Sequence, residues 1–318
     1  MGIDLQYLLF LQNLRVATGG VFDEFFNALS KVAVDLMPFV PFVIFWCVSK
    51  KWGYRAILTY ISGEVLNGII KLTVCAYRPW IRSEQIEPAG DSKTAATGYS
   101  FPSGHSVNAS IHYGIIQQMQ KNKRKWLATL CIILILLTGF SRNFLGVHTP
   151  QDVIVGITEG IFLIWIVGLI QKKTEGNAKL HDWMTLGGFA VIIAVLIYIT
   201  NKPYPMDYIE GKLLVDPQVM MNDMYKACGW LFGFLIGSYV ERHYIHYEIP
   251  TSHPNLPVLS VAGFMIMFAW KQYFSKPILV APLGGHWGNF AARAVMALFA
   301  LIIWPLVIRH ECREEKKK

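Results

Sequence analysis

Three stretches of the 318-residue chain place cations and histidines next to apolar sequence. The first holds Lys71 and Arg78, with Pro79 after it. The second runs Phe101, Pro102, Ser103, Gly104, His105. The third holds Ser141 and Arg142, then His148 and Asp152. Lys71, Arg78 and Arg142 have no acidic neighbour in sequence to pair with. Cations gathered in apolar surroundings are costly unless an anion joins them. Arginine suits bidentate phosphate contact and lysine a point-charge contact. Pro102, Ser103 and Gly104 lead into a helix start, where free N–H groups and the positive dipole end attract an anion. Glycine at 104 lets the backbone come close to it. His148 and Asp152 stand four residues apart, and Pro150 is well placed to open a helix. In that turn Asp152 lies under His148 and can accept its ring N–H. The tautomer is then fixed and the other nitrogen is left as a nucleophile. His105, from a different segment, can donate a proton to a leaving oxygen.

The elements that must position these residues are membrane helices. The chain is 53% hydrophobic and 16% charged, whereas soluble domains are about 25% charged. Aromatics make up 14%, with 10 Trp, which suits anchoring at headgroup depth. The net charge of +8 could suggest nucleic acid, but the basic residues fall in short loops between apolar runs. Membrane topology accounts for them, and no nucleic-acid partner is expected. A span needs roughly 20 apolar residues. Candidates lie at about 34–49, 55–76, 104–120, 126–143, 151–171, 184–200, 224–241, 256–272 and 289–309. Residues 1–32 mix apolar residues with Asp4, Arg15, Asp23, Glu24 and Lys31 and are expected to be interfacial or re-entrant. No cleavable leader is expected. The five cysteines (Cys47, Cys75, Cys131, Cys228, Cys312) have irregular spacing and read as packing residues, neither a zinc site nor a disulfide framework.

Lys50 and Lys51, Lys121 to Lys125, Lys172 and Lys173, Arg242, and the terminal Lys316 to Lys318 mark one set of loops as cytoplasmic. The C-terminus is therefore expected in the cytoplasm. Arg78 and Arg142 then lie on the outer side against that rule, as an external phosphate site would require. The fold expected is all-α and polytopic, with about nine spans.

The order of the motifs resembles a known family. Lys71, six residues, Arg78-Pro79; then Pro102-Ser103-Gly104-His105; then Ser141-Arg142, five residues, His148, three residues, Asp152 is the pattern of the type 2 phosphatidic acid phosphatases. That superfamily includes lipid phosphate phosphatases, glucose-6-phosphatase and vanadium haloperoxidases. The likeness covers roughly residues 30–172. It implies a helical-bundle phosphatase core over 33–172, preceded by the 1–32 segment and followed by further transmembrane helices over 173–318. It implies His148 as the nucleophile that becomes phosphohistidine, Asp152 as its orienting partner and His105 as acid and then base. Lys71, Arg78, Ser103, the Gly104 backbone and Arg142 would hold the phosphoryl oxygens. Lysine and arginine supply the charge that Mg²⁺ supplies in kinases, so no metal and no cofactor is expected. The substrate implied is a membrane lipid met in the bilayer: phosphatidic acid, phosphatidylglycerophosphate or a polyprenyl pyrophosphate. A soluble phosphate ester such as a sugar phosphate, or lipid handling without catalysis, are the alternatives. The location implied is the plasma (inner) membrane, with the site on the extracytoplasmic face. Beyond the motifs, Glu64, Asn67 and Lys71 share one helix face and read as a buried structural group.

Overall fold

Backbone polar groups in lipid must be satisfied within the chain, and a helix does this segment by segment. The computed structural model describes residues 2–96, 98–209, 211–250 and 253–314, and helices dominate them. The main helices are α1 (Ile3–Ala17), α2 (Asp23–Asp35), α3 (Lys50–Val74), α4 (Gly104–Gln120), α5 (Lys125–Phe144), α6 (Pro150–Thr174), α7 (Ala178–Asn201), α8 (Pro217–Val240), α9 (Leu256–Ala269), α10 (Gly285–Leu298) and α11 (Trp304–Glu314). Strand is confined, among the described residues, to a hairpin of β1 (Tyr208–Ile209) and β2 (Lys212–Leu213), paired antiparallel. This is the polytopic all-α protein expected.

Six helical runs among the described residues are long and apolar enough to cross a membrane: Asp23–Val48, Lys50–Arg82, Lys125–Phe144, Pro150–Thr174, Ala178–Asn201 and Gly285–Cys312. The expected count was nine. The other three segments are helical but fall short for physical reasons. α4 has 17 residues and carries His105, Asn108 and His112. α8 carries Asp223 and Lys226 in its first half. α9 has 14 residues before the winding loosens at Trp270. The N-terminal segment also differs from expectation. After α1, Gly19 and Gly20 turn the chain with φ of 64° and 71°, and α2 opens the first spanning run at Asp23, not near residue 34. Lys316 to Lys318, on which the C-terminal orientation rested, lie outside the described residues.

The chain packs as two compact units that interleave in sequence. The first comprises residues 1–38, 63–165 and 202–220, the second 39–62, 166–201 and 221–318. The linear division at 32 and 172 follows chain order, whereas packing recruits 202–220 into the first unit.

In the first unit, Phe26, Ala89, Ala96, Phe144, Leu145 and Val147 form one apolar cluster. Ala33, Ala109, Tyr113, Cys131 and Ile135 form another between α2, α4 and α5. Small residues bring α6 against α4. A Cβ at Gly156 would lie 2.7 Å from the Ser103 carbonyl oxygen, and one at Gly160 would lie 2.6 Å from Ser110 Cβ. This is the close approach that small residues four apart permit between membrane helices. In the second unit, Gly229, Gly233 and Gly237 of α8 meet Phe290, Ala294 and Leu301 in the same manner. Trp46 donates its indole N–H to Ala300 at 2.8 Å, and Tyr247 donates to the Trp46 carbonyl at 2.6 Å. All five cysteines are free, with Cys131, Cys228 and Cys312 buried.

Candidate active site

The three motifs converge in the first unit. Lys71 ends α3 and reaches over the 99–102 loop. Its ammonium donates to the carbonyls of Tyr99 (3.3 Å), Ser100 (3.3 Å) and Pro102 (2.5 Å). Arg78 caps the short helix Pro79–Arg82. Its Nε donates to the Gly98 carbonyl at 3.1 Å, and its Nη1 to the Val147 carbonyl at 3.0 Å. Gly98 has φ +72°, a region L-residues rarely adopt, and Met220 occupies the place a side chain would need.

His148 is held by the closure of α5. The Val147 and His148 amides both donate to the Arg142 carbonyl, at 3.1 and 3.3 Å. Asn143 donates its amide to the His148 carbonyl at 2.9 Å. Gly146, with φ +72°, makes the turn between them. α6 then opens with a reciprocal cap: the Asp152 amide donates to Thr149 Oγ1 at 3.4 Å, and the Thr149 amide donates to Asp152 Oδ2 at 2.9 Å. The same Oδ2 lies 3.3 Å from His148 Nδ1 and accepts from Ser100 Oγ at 2.5 Å.

The other ring nitrogen, Nε2, sits 2.8 Å from Arg78 Nη1. A guanidinium only donates, so Nε2 accepts there. The imidazole is then neutral, with its proton on Nδ1 facing Asp152. Burial pushes the His148 pKa well below the usual imidazole value, and the charges of Arg78, Lys71 and Arg142 add to this.

Lys71, Arg78 and Arg142 are only 8%, 5% and 3% exposed. Arg142 Nη1 donates to Ser30 Oγ at 2.5 Å, while its Nε is buried without a partner among the described residues. Ser103 caps α4, and its hydroxyl accepts from the Ser106 amide (3.4 Å) and Ser106 Oγ (2.9 Å). The Ser103 amide donates to the Asp152 carbonyl at 2.9 Å, tying the two helix starts together. Gly104 opens α4. His105 follows it, half-exposed, and feels the charges of Arg142, His148, Arg78 and Lys71.

Every residue singled out for the site is thus in this one cluster. Sequence reasoning missed Ser100, Thr149, Asn143 and Ser30. Thr149 had a signal, since Thr149 and Asp152 are spaced as a capping box. Ser100 had none: its partner is 52 residues away. Below the site, Asn67 donates to Glu159 Oε2 at 3.3 Å, so the buried group expected around Glu64 and Lys71 extends to an unforeseen acid on α6. Arg82 stands apart, in an ion pair with Asp4 at 2.7 Å.

Residues 52–175 match the PAP2 superfamily. Phosphatidylglycerophosphatase B of Bacillus subtilis is 31% identical over 135 residues, which is 40% of this chain and 62% of that protein's length. An undecaprenyl-diphosphatase of Sulfolobus acidocaldarius is 27% identical over 148 residues, 46% of this chain and 68% of that protein. Mouse glucose-6-phosphatase 2 is 22% identical over 335 aligned residues, covering 92% of this chain and 93% of that protein. No solved structure matches. All three motifs lie within residues 52–175, the segment that is similar to the PAP2 superfamily.

Proposed function

We propose that the protein is an integral membrane phosphatase that works through a phosphohistidine on His148. One observation carries the reading: three nearly buried cations surround a neutral imidazole whose acceptor nitrogen is in contact with Arg78. Phosphoryl transfer is mostly positioning and charge stabilisation. An incoming phosphoryl group takes the place of the guanidinium contact at Nε2, and Arg78, Arg142 and Lys71 turn to its oxygens with Ser103 and the Gly104 amide. His148 Nε2 attacks phosphorus, and the bond to the leaving oxygen breaks. His105 gives that oxygen its proton, and Asp152 holds the imidazolium form of His148. His105 then takes a proton from water as the water attacks phosphorus. The N–P bond breaks, inorganic phosphate leaves and His148 returns to neutral.

The substrate class we favour is a lipid phosphomonoester or pyrophosphate, supported by the apolar helices that carry the site and by the lipid phosphatases among the relatives. The second reading, a water-soluble phosphate ester, is favoured by the similarity to a glucose-6-phosphatase over nearly the whole chain. We place the site on the extracytoplasmic face of the plasma membrane, with a cytoplasmic C-terminus. The test is phosphate release by purified wild-type and His148→Ala protein in EDTA. Substrates are phosphatidic acid, phosphatidylglycerophosphate, undecaprenyl pyrophosphate, glucose 6-phosphate and p-nitrophenyl phosphate. Turnover of at least one, lost in the variant, is expected. Equal turnover in both proteins would refute the histidine mechanism.

A further inference from the structure

The motifs account for the phosphate but not for what leaves it. Arg78 also lines a cavity of about 270 Å³, together with Trp80, Gly98, Leu214, Asp216 and Val219. Four of its nine lining residues come from 214–219, outside the matched segment 52–175. The segment is fastened to the site from several directions. Tyr77 donates its hydroxyl to Asp207. The Leu214 amide donates to the Asp207 carbonyl at 2.9 Å, and Met220 fills the space beside Gly98.

We propose that this cavity is the leaving-group subsite, and that it takes a small, uncharged, hydroxyl-bearing group attached to the phosphate. The inference rests on the phosphatase reading above. Its size falls just under the roughly 300–1,000 Å³ of drug-sized ligand sites, which fits a polyol. Its polar wall is a carboxylate. Asp216 accepts the Gln218 amide on Oδ1 at 2.9 Å, and the side chain is exposed, leaving Oδ2 to accept hydroxyl protons. Its flat wall is Trp80, with the Arg78 guanidinium 5.8 Å from the ring centroid. A carboxylate in this position opposes a leaving group whose own phosphate is joined directly to the one removed, as in a polyprenyl pyrophosphate. Phosphatidic acid, whose leaving glycerol has both hydroxyls esterified, offers nothing for Asp216 to bind. The glycerol unit of phosphatidylglycerophosphate, with its free hydroxyl beside the phosphate removed and its phosphodiester at the far end, and a free sugar phosphate share the required chemistry.

Val219→Trp and Asp216→Asn test this on the purified full chain. The first fills the cavity from the start of α8. The second removes the charge while asparagine still caps the helix. Val219→Trp is expected to lower kcat/KM for phosphatidylglycerophosphate or glucose 6-phosphate about tenfold relative to p-nitrophenyl phosphate. A drop on the lipid identifies a headgroup, and a drop on the sugar phosphate a free ester. Asp216→Asn is expected to erode the preference for these over undecaprenyl pyrophosphate by a similar factor. Unchanged ratios in both variants, or a wild-type protein that prefers phosphatidic acid or the pyrophosphate, would overturn the subsite. p-Nitrophenyl phosphate turnover that survives His148→Ala would instead overturn the phosphatase reading beneath it.

Discussion

Replacing Asp152 with asparagine isolates the charge at the centre of the site. In the native structure one oxygen, Oδ2, meets the Thr149 amide at 2.9 Å, Ser100 Oγ at 2.5 Å and His148 Nδ1 at 3.3 Å. An asparagine oxygen in that place keeps the acceptor and the shape but not the charge. Hydrogen bonds to charged groups contribute about 1.5–3 kcal/mol and neutral ones about 0.5–1.5, so each bond weakens by about 1 kcal/mol. The bond that counts for rate is the one to His148, because it strengthens as the ring becomes an imidazolium in the transition state. The other two hold that oxygen in place. Losing about 1 kcal/mol from the bond to His148 corresponds to a fall of roughly fivefold in kcat, at about 1.36 kcal/mol per decade. The assay is steady-state phosphate release in detergent or proteoliposomes, with thermal unfolding as the check on folding. A change of less than about threefold in a folded variant would refute the argument that Asp152 stabilises the charged ring.

Gly156→Ala should lower Tm, by the amount expected for about 1–3 kcal/mol of overpacking, because the new Cβ would lie 2.7 Å from the Ser103 oxygen; an unchanged melting curve would show that α4 and α6 can part freely. Activity should fall with it, since the same helix start carries Ser103, Gly104 and His105. Stability should rise with pH between about 5 and 7, because burial depresses the His148 pKa and the folded state binds fewer protons there than the unfolded chain, whose imidazole titrates near 6.5. This contribution is present above the unfolded value and is lost as pH falls toward the folded one; the slope, read from denaturant unfolding, should flatten in a folded His148→Asn variant, and an unaltered slope would count against a neutral buried ring.

Much of the site could be read from the chain because its residues are bound to helix ends. His148 and Asp152 are brought together by one helical turn, and local periodicity reveals that. Ser103 and Gly104 announce a helix start by their types alone. Ser100 and Ser30 could not be found this way: each works through one long-range contact, to Asp152 and Arg142 respectively, and serine occurs in most loops. The recruitment of 202–220 is invisible for a deeper reason. Its contacts to Tyr77 and Gly98 cross more than a hundred residues, and nothing in its composition marks it off from an ordinary loop. Nine spans were expected, and six helical runs among the described residues are long and apolar enough to cross a membrane. α4 is helical as expected, but it has only 17 residues, and His105, Asn108 and His112 lower its hydropathy.

The bond between Asn67 and Glu159 has a consequence for how the chain enters the bilayer. Its partners are 92 residues apart, so α3 with Asn67 emerges well before α6 does. An acid near the middle of a span costs about 2.5–3.5 kcal/mol, and an interhelical hydrogen bond in lipid returns only about 0.6 on average. The asparagine therefore cannot underwrite the entry of α6. That falls to the isoleucines, leucines, valines and phenylalanine between Ile154 and Ile170, each contributing about 0.3–0.6 kcal/mol to insertion. Ile154, Ile161 and Phe162 are exposed, yet by this reckoning they are constrained during biogenesis. A polar substitution at such a position should leave the finished structure nearly untouched while reducing the fraction of chains that ever reach it.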